Sequence, residues 1–371
     1  MHYVDGRLVP STNDATFDVL EPVTNGIYAR CAAGSVADID RAVAGACEAF
    51  ETGPWPLLKA RDRARILQRV ADAIEARSDR IAELESFDTG LPISQARKQA
   101  ARAAENFRFF AGLITSSHED AFSVGHEQLN YVIRRPAGVA GLISPWNTPF
   151  MLETWKLAPA LASGCVTVLK PAEWSPLSAT VLPEIMEEAE LPRGVFSIVH
   201  GIGEEAGAAL VAHRDVPLIS FTGESATGQS IMASSASNLK RLSMELGGKS
   251  PCLVFADADL GAALDAVVFQ VFSLNGERCT AGTRVLVERP VYDAFVEDLV
   301  RRAGHVRVGV PSDPQTELGP LIHPVHHEKV TGYVQIGQQE GAVLGAGGRR
   351  PEHLPTGNFL SATVLFDVTP A

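Results

Sequence analysis

The sequence predicts an α/β fold, with a doubly wound parallel sheet and a second α/β domain after it. The chain has 371 residues, which is enough for two or three domains. Between residues 139 and 228 short apolar runs alternate with helical segments, a pattern typical of parallel βα units. The same alternation restarts at Leu253.

The first third of the chain predicts capped helices that carry little chemistry. Ser35 is a suitable N-cap for the first helix, and a break near Ser78 divides the next segment. The predicted helices cover residues 36–50, 59–85 (two helices) and 94–113. The alternating stretch 128–135 then predicts an exposed hairpin or edge strand.

Four buried strands follow, and each ends in a polar or glycine-containing segment. Because ligands bind beyond the carboxyl ends of parallel strands, we expect those segments to share one site. The strands are 139–143, 166–169, 195–199 and 218–221, and the helices beside them are 151–162, 178–189 and 204–212. The second domain is predicted as strands 253–255 and 284–288, helices 259–273 and 291–303, and a Gly-rich loop or hairpin at 341–355.

Composition argues against several function classes. The net charge of −12, from 32 basic and 44 acidic side chains, disfavours nucleic acid or an anionic membrane as a partner. The five cysteines are widely scattered without CxxC spacing, so neither a zinc site nor a disulfide framework is indicated. This cysteine usage fits a reducing, cytoplasmic location. The polar amino terminus predicts no signal peptide, and no apolar run approaches membrane-spanning length.

Cys279 and Glu245 are the first candidates for chemistry. Cys279 lies in a Gly-containing segment, and Glu245 is embedded in Leu-Gly-Gly-Lys. One side chain can act as a nucleophile and the other as a general base. Taken alone, Cys279 is more readily interpreted as a small buried apolar residue, which is the usual position of free cysteine.

Two further motifs suggest a dinucleotide site, although there is no GxGxxG. The glycines of FTGESATG, five apart at the start of a helix, let the backbone approach a pyrophosphate; two ordinary turns explain them equally well. Glu224 is unfavourable beside phosphate. Lys170 and Glu173 can hydrogen-bond a ribose diol, and Glu173 would repel a 2′-phosphate. A solvated ion pair is the alternative for those two residues.

Asn147 and Arg102 complete the candidates from the residues alone. Asn147 follows Pro-Trp in a rigid turn and can donate to a developing oxyanion, although Asn also favours turns for conformational reasons. Arg102 lies on the 94–113 helix and can bind a substrate carboxylate, whereas such arginines commonly face water.

Taken together, the motifs resemble the aldehyde dehydrogenase superfamily. The matching stretches are SPWNTPF, KPAEWSP, GIGEEAG, FTGESATG, MELGGKSP and NGERCTAG, in the family's order and spacing. FTGES and NGERCTA are similar to the branch that oxidises muconate-type semialdehydes from aromatic catabolism. The resemblance implies a Rossmann-type NAD-binding domain (residues 1–125 and 139–248), an oligomerisation strand segment (126–138) and a catalytic domain (249–371).

The resemblance assigns a role to each matching position. It implies Cys279 as nucleophile, Glu245 as general base and Asn147 as oxyanion donor, without a metal. The implied substrate contacts are Arg102, Trp155 and Arg278. The implied NAD contacts are Ile143, Ser144, Pro145, Trp146, Lys170, Ala172, Glu173, Gly203, Phe221, Thr222, Gly223, Glu224, Thr227, Gly228, Leu246 and Gly247. A small-molecule aldehyde as substrate and a homodimer or homotetramer are also expected.

The resemblance also implies that the catalytic domain is truncated at its carboxyl end. Relatives continue through a Glu-Glu-x-Phe-Gly-Pro segment, whereas this sequence stops at Ala371 without it. Two alternative functions therefore stand beside oxidation of a muconate-type semialdehyde. One is oxidation of another semialdehyde, such as succinate semialdehyde, and the other is a cofactor-binding fragment without turnover.

Overall fold

The computed structural model describes residues 1–369, and its amino-terminal third combines short strands with long helices. The strands, which the sequence did not predict, are β1 (His2–Val4), β2 (Arg7–Val9), β3 (Thr16–Leu20) and β4 (Ile27–Ala32). The helices are α1 (Val36–Glu51), α2 (Ala60–Ala76), α3 (Ser78–Thr89) and α4 (Ile93–Ser116). Ser35 caps α1 as predicted, because its side chain accepts from Asp38 N and Asp38 accepts from the Ser35 backbone.

An exposed antiparallel hairpin follows α4. Its strands are β5 (Ala121–Ser123) and β6 (Leu129–Tyr131), and every residue of both is exposed. The predicted segment 126–138 therefore contains only the second strand. The alternating stretch 128–135 predicted an exposed hairpin or edge strand, and β6 lies within it.

Five parallel strands form the body of a seven-stranded sheet. The elements are β7 (Val139–Ile143), α5 (Pro149–Ala162), β8 (Val166–Lys170), α6 (Leu182–Glu188), β9 (Phe196–Ile198), α7 (Ala208–Ala212), β10 (Leu218–Gly223), α8 (Ser225–Ser235) and β11 (Arg241–Leu246). The strand order is β11-β10-β7-β8-β9-β1-β2, with β1 antiparallel to β9. The predicted doubly wound parallel sheet is confirmed, and β11 adds a strand that was not predicted.

The remaining chain builds a second α/β region. Its elements are β12 (Pro251–Val254), α9 (Leu260–Phe272), β13 (Arg284–Val287), α10 (Arg289–Gly304), α11 (Pro324–Gln339), β14 (Val343–Ala346) and β15 (Val364–Phe366). β12 and β13 pair in parallel, and β14 pairs with β15 across the predicted Gly-rich segment. Of the predicted domain 249–371, Pro370 and Ala371 lie outside the described residues.

Two separate hydrophobic clusters match this division. The larger one runs from Tyr3 to Ile231 and packs α1–α5 against the large sheet. The smaller one runs from Val254 to Val364 and packs α9 and α10 against β12 and β13. Asn147 and Cys279 therefore come from regions with different cores.

Candidate active site

The register of the large sheet brings the predicted polar residues to one edge. Ile143 at the end of β7 is paired with Lys170 at the end of β8 and with Phe221 on β10. One strand further along, Thr222 is paired with Glu245 on β11. Because these strands are parallel, their carboxyl ends open on the same side, as predicted.

A cavity of about 590 Å³ lies at this edge and contains most of the predicted cofactor residues. The predicted residues that line it are Ile143, Ser144, Pro145, Trp146, Lys170, Ala172, Glu173, Gly203, Phe221, Thr222, Gly223, Glu224 and Thr227. Further walls that were not predicted come from Trp174, Glu204, Gly207, Ala208, Val211, Ala226, Ser230, Ile231 and Ser234. Trp174, Glu204, Gly207 and Ala226 lie within the quoted motifs, whereas the others lie on α7 and α8, outside any motif.

Three of the predicted cofactor residues do not line this cavity. They are Gly228, Leu246 and Gly247. A Cβ atom at Gly228 would lie 2.8 Å from Leu246 Cδ2, so this glycine allows α8 to pack against β11. Its position is explained by helix–strand packing.

Lys170 and Glu173 form the polar end of the cofactor cavity. Lys170 Nζ lies 2.7 Å from Glu173 Oε2, and the lysine side chain is only 3% exposed while the glutamate is 34% exposed. The pair is therefore not a solvated surface ion pair. A Cβ atom at Gly203 would lie 3.9 Å from Glu173 Oε1, an ordinary contact distance, so Gly203 lies beside this carboxylate. The arrangement fits a ribose diol.

Glu224, the residue that is unfavourable beside phosphate, has a cationic partner. Lys329 on α11 donates to Glu224 Oε1 at 2.9 Å. Both side chains are exposed, so the pair is worth little as a stabilising contact. The charge of Lys329 does offset the negative charge of Glu224 at the start of α8, where the FTGESATG motif predicts that the pyrophosphate binds.

A second cavity, of about 620 Å³, contains all six predicted catalytic and substrate residues. Cys279, Glu245 and Asn147 line it together with Arg102, Trp155 and Arg278. Cys279 is exposed, so the alternative of a buried structural cysteine is wrong. Thr222 lines this cavity and the cofactor cavity as well.

The segment before Cys279 has an unusual backbone. Leu274, Asn275 and Gly276 have φ of 53°, 57° and 72°, so three successive residues are left-handed. For a leucine this costs roughly 1–2 kcal/mol. The buried Asn275 amide compensates, since Nδ2 donates to Gly90 O and Pro320 O at 3.0 Å each and Oδ1 accepts from Gly319 N at 2.8 Å.

Asn147 is fixed by the same segment. Its Nδ2 donates to the backbone carbonyl of Glu277 at 2.7 Å, two residues before Cys279. The amide has a second N–H, which leaves a donor for an oxyanion. Thus one hydrogen bond joins the turn after β7 to the cysteine segment.

The two predicted arginines lie in one electrostatic environment. Desolvation is the main cause that lowers the pKa of Arg278, and the positive charge of Arg102 lowers it further. The Arg278 guanidinium lies 5.2 Å from the centre of the Phe269 ring, and its Nε is buried without a partner in the described part of the chain. Arg102 is exposed and donates to Gln99 at 3.3 Å. A bound carboxylate would offset the positive charges of both guanidinium groups.

Lys156 on α5 is a cavity residue that the sequence did not single out. Its Nζ donates to Ser220 Oγ at 3.1 Å. Burial lowers its pKa to about 8, and the nearby Glu245 carboxylate opposes that shift. A lysine within the mainly apolar helix α5 is the signal that could have identified it.

Residues 1–369 contain neither a metal cluster nor a membrane span. No group of three or more His, Cys, Asp or Glu side chains in that range is placed to hold a metal ion. No helix in the same range is long and apolar enough to cross a membrane.

Comparisons with known proteins agree with the motifs. The profile of the Aldehyde dehydrogenase family matches residues 8–371. The 5-carboxymethyl-2-hydroxymuconate semialdehyde dehydrogenase of Escherichia coli is 48% identical, over 99% of this chain and 78% of its own length. The resemblance is therefore confirmed. The predicted truncation of the catalytic domain is not borne out by these matches.

Solved structures share the fold closely. HpcC from Thermus thermophilus superposes with a TM-score of 0.96 at 52% identity, and the match covers 98% of this chain and 72% of that protein. An NAD+ complex of an aldehyde dehydrogenase from Bacillus cereus superposes with a TM-score of 0.97 at 39% identity, and the match covers 99% and 75%. The predicted fold class is confirmed.

Proposed function

The chain belongs to the aldehyde dehydrogenase family, and from this premise we propose that it oxidises a carboxylate-bearing, muconate-type semialdehyde to the carboxylic acid through a thioester on Cys279. It is an NAD-dependent enzyme. One observation carries the proposal: the cavity that contains Cys279 also contains two arginine side chains.

The cofactor cavity fits NAD by its chemistry. We assign the adenosine ribose to Lys170 and Glu173, which form a polar pair beside Gly203. We assign the pyrophosphate to the start of α8, where Thr227 lines the cavity. NAD, when bound, accepts the hydride from the aldehyde carbon.

Cys279 is assigned as the nucleophile that attacks the aldehyde carbon as a thiolate. Glu245 accepts the thiol proton. The Asn147 amide and the backbone N–H of Cys279 donate to the oxyanion that forms. Asn147 is already oriented by its bond to Glu277, so little reorganisation is required when charge develops.

Glu245 is assigned a second role in the release of the acid. After the thiol proton has passed from Glu245 to solvent, the carboxylate removes a proton from water, which attacks the thioester carbon and displaces the Cys279 thiolate. Lys156 lies near this carboxylate, and the charge of Glu245 partly offsets the burial that lowers the pKa of Lys156.

Arg102 and Arg278 select the substrate in this proposal. Guanidinium groups bind carboxylates with two parallel hydrogen bonds, which is stronger than a neutral contact. Trp155, 52% exposed, provides an apolar wall beside them. A muconate-type semialdehyde presents carboxylates and an apolar carbon chain, and it therefore matches these walls.

We extend the proposal to assembly and location. The exposed hairpin of β5 and β6 presents Phe122, Leu129 and Tyr131, so we assign it to contacts between subunits of a homodimer or homotetramer. We assign residues 1–125 and 139–248 to NAD binding and residues 249–371 to catalysis, and the separate hydrophobic clusters support a division of this kind. The cysteine usage favours the cytoplasm.

The test is NADH formation over a panel of aldehydes. The purified protein is supplied with NAD and with 5-carboxymethyl-2-hydroxymuconate semialdehyde, succinate semialdehyde or hexanal. The proposal expects the highest kcat/KM for the first compound. A higher value for hexanal would refute the assigned substrate class, and no NADH with any aldehyde would refute the catalytic assignment.

A further inference from the structure

Glu277 is a fully buried carboxyl group without a role in the chemistry proposed above. It lies two residues before Cys279, and its side chain is 2% exposed. Its Oε2 is buried with no hydrogen-bond partner in the described chain. Burying a partly unsatisfied carboxyl costs stability, so such a residue calls for a compensating function.

The main chain of Glu277 holds the oxyanion donor. Its carbonyl accepts from Asn147 Nδ2 at 2.7 Å. Its φ of −90° and ψ of 29° lie near the sparsely populated bridge region. A residue in that region keeps its carbonyl direction only when neighbouring contacts hold it.

The side chain of Glu277 provides such a contact. Oε1 accepts from the backbone N–H of Ile322 at 3.1 Å, just before α11. His326 Nε2 lies 3.6 Å from the same oxygen. Burial raises the pKa of Glu277 and lowers that of His326 to about 4, so burial opposes a charge on either group.

We propose that Glu277 is a positioning residue: its side chain, anchored at Ile322, holds its carbonyl toward Asn147 and so aims the Asn147 amide at the oxyanion. The inference rests on the proposed function, because the amide matters only if an oxyanion forms beside Cys279. Glu277 itself lines neither the cofactor cavity nor the cavity that contains Cys279.

The test is a double-mutant cycle between Glu277 and Asn147. Glu277→Met keeps the volume and removes the acceptor for Ile322 N, and Glu277→Gln keeps an acceptor. We expect Glu277→Met to lower kcat about tenfold, with an unchanged KM for the aldehyde. Asn147→Ala should lower kcat about 100- to 1,000-fold, as loss of an oxyanion donor does. Adding Glu277→Met to Asn147→Ala should then cost almost nothing further.

Three measurements separate positioning from a structural role. Alkylation of Cys279 by iodoacetamide should keep the wild-type rate in Glu277→Met, which shows that the cysteine segment is intact. The fall in kcat should be smaller for Glu277→Gln than for Glu277→Met. Melting curves establish that each variant folds, and Glu277→Leu replaces Glu277→Met should the latter not fold.

The proposal would be overturned if the kcat losses of Glu277→Met and Asn147→Ala multiplied in the double variant. Equal kcat losses for Glu277→Gln and Glu277→Met would also overturn it. A loss of Cys279 alkylation in parallel with kcat would also overturn it, because Glu277 would then only hold the segment together. Failure of the proposed function is distinct, since the wild-type protein itself would form no NADH.

Discussion

Thr222 on β10 is the register partner of Glu245 on β11, and Thr222 lines both cavities. The wall between the cofactor cavity and the cysteine cavity is therefore a pair of adjacent strand ends. A parallel sheet fixes such neighbours through its ladder of hydrogen bonds. In our proposal the aldehyde donates hydride to NAD, so the two reactants meet at this rigid wall between the cavities.

Cys279→Ser and Cys279→Ala should abolish aldehyde oxidation and leave NAD affinity largely unchanged. Cys279 lines only the second cavity, so its loss does not alter the walls assigned to NAD. Turnover is followed by NADH absorbance, and NAD affinity by titration calorimetry. Near-normal turnover of either variant would show that another group is the nucleophile.

Glu245→Gln should slow hydrolysis of the thioester more than its formation. The variant keeps the side-chain size and loses the carboxylate that activates water. We expect a burst of NADH of one equivalent per site followed by a stall, measured by stopped-flow absorbance. Absence of the burst would indicate that Glu245 is needed already for acylation.

NAD should be preferred over NADP, and Glu173→Gln should narrow that preference. Glu173 Oε2 is held by Lys170 at 2.7 Å, at the place assigned to the ribose hydroxyls. Its charge would repel a 2′-phosphate. The measurement is kcat/KM for each cofactor in the wild type and the variant, and equal values in the wild type would contradict the assignment.

Arg102→Ala should impair anionic semialdehydes and spare hexanal. Loss of one charge-assisted hydrogen bond costs about 1.5–3 kcal/mol, which corresponds to roughly ten- to a hundredfold in kcat/KM. Arg102→Lys is the matched control, since it keeps the charge and loses the planar fork. Equal effects on charged and neutral aldehydes would mean that Arg102 merely faces solvent.

Lys156→Met should stabilise the fold at pH 7. The folded-state pKa of about 8 lies below the ordinary value of 10.5, so holding the proton in the folded protein costs free energy. This penalty is fully present below pH 8 and disappears as pH rises toward 10.5. The gain is about 1–3 kcal/mol at pH 7, because one pKa unit corresponds to about 1.4 kcal/mol and the lost Ser220 contact offsets part of it.

Unfolding by urea at pH 7 and at pH 10.5 checks this expectation. The stability difference between Lys156→Met and the wild type should shrink at the higher pH. A difference that stays constant would mean that burial of the ammonium group is not its source.

The sequence predicted the βα units because their signals are local. The strands 139–143 and 166–169 are apolar runs within a few residues of the observed β7 and β8. It did not predict β11, where Arg241, Ser243 and Glu245 alternate with apolar residues at the edge of the sheet. This period of two extends over only six residues, which is a weak strand signal.

The sequence predicted the site residues that lie within motifs, but not their partners elsewhere in the chain. The six residues predicted to be catalytic or substrate-binding line one cavity. The Lys329 partner of Glu224 is 105 residues away in the chain, and the Ile322 contact of Glu277 is 45 away. Such contacts are set by how α11 docks, which no local pattern encodes.

The three left-handed residues before Cys279 have a consequence for protein engineering. They hold their conformation through an asparagine amide that reaches Gly90, Gly319 and Pro320, in two distant loops. A graft of the NGERC segment into another scaffold would leave these anchors behind, and the peptide would relax to ordinary backbone angles. The portable unit is therefore the cysteine segment together with both loops.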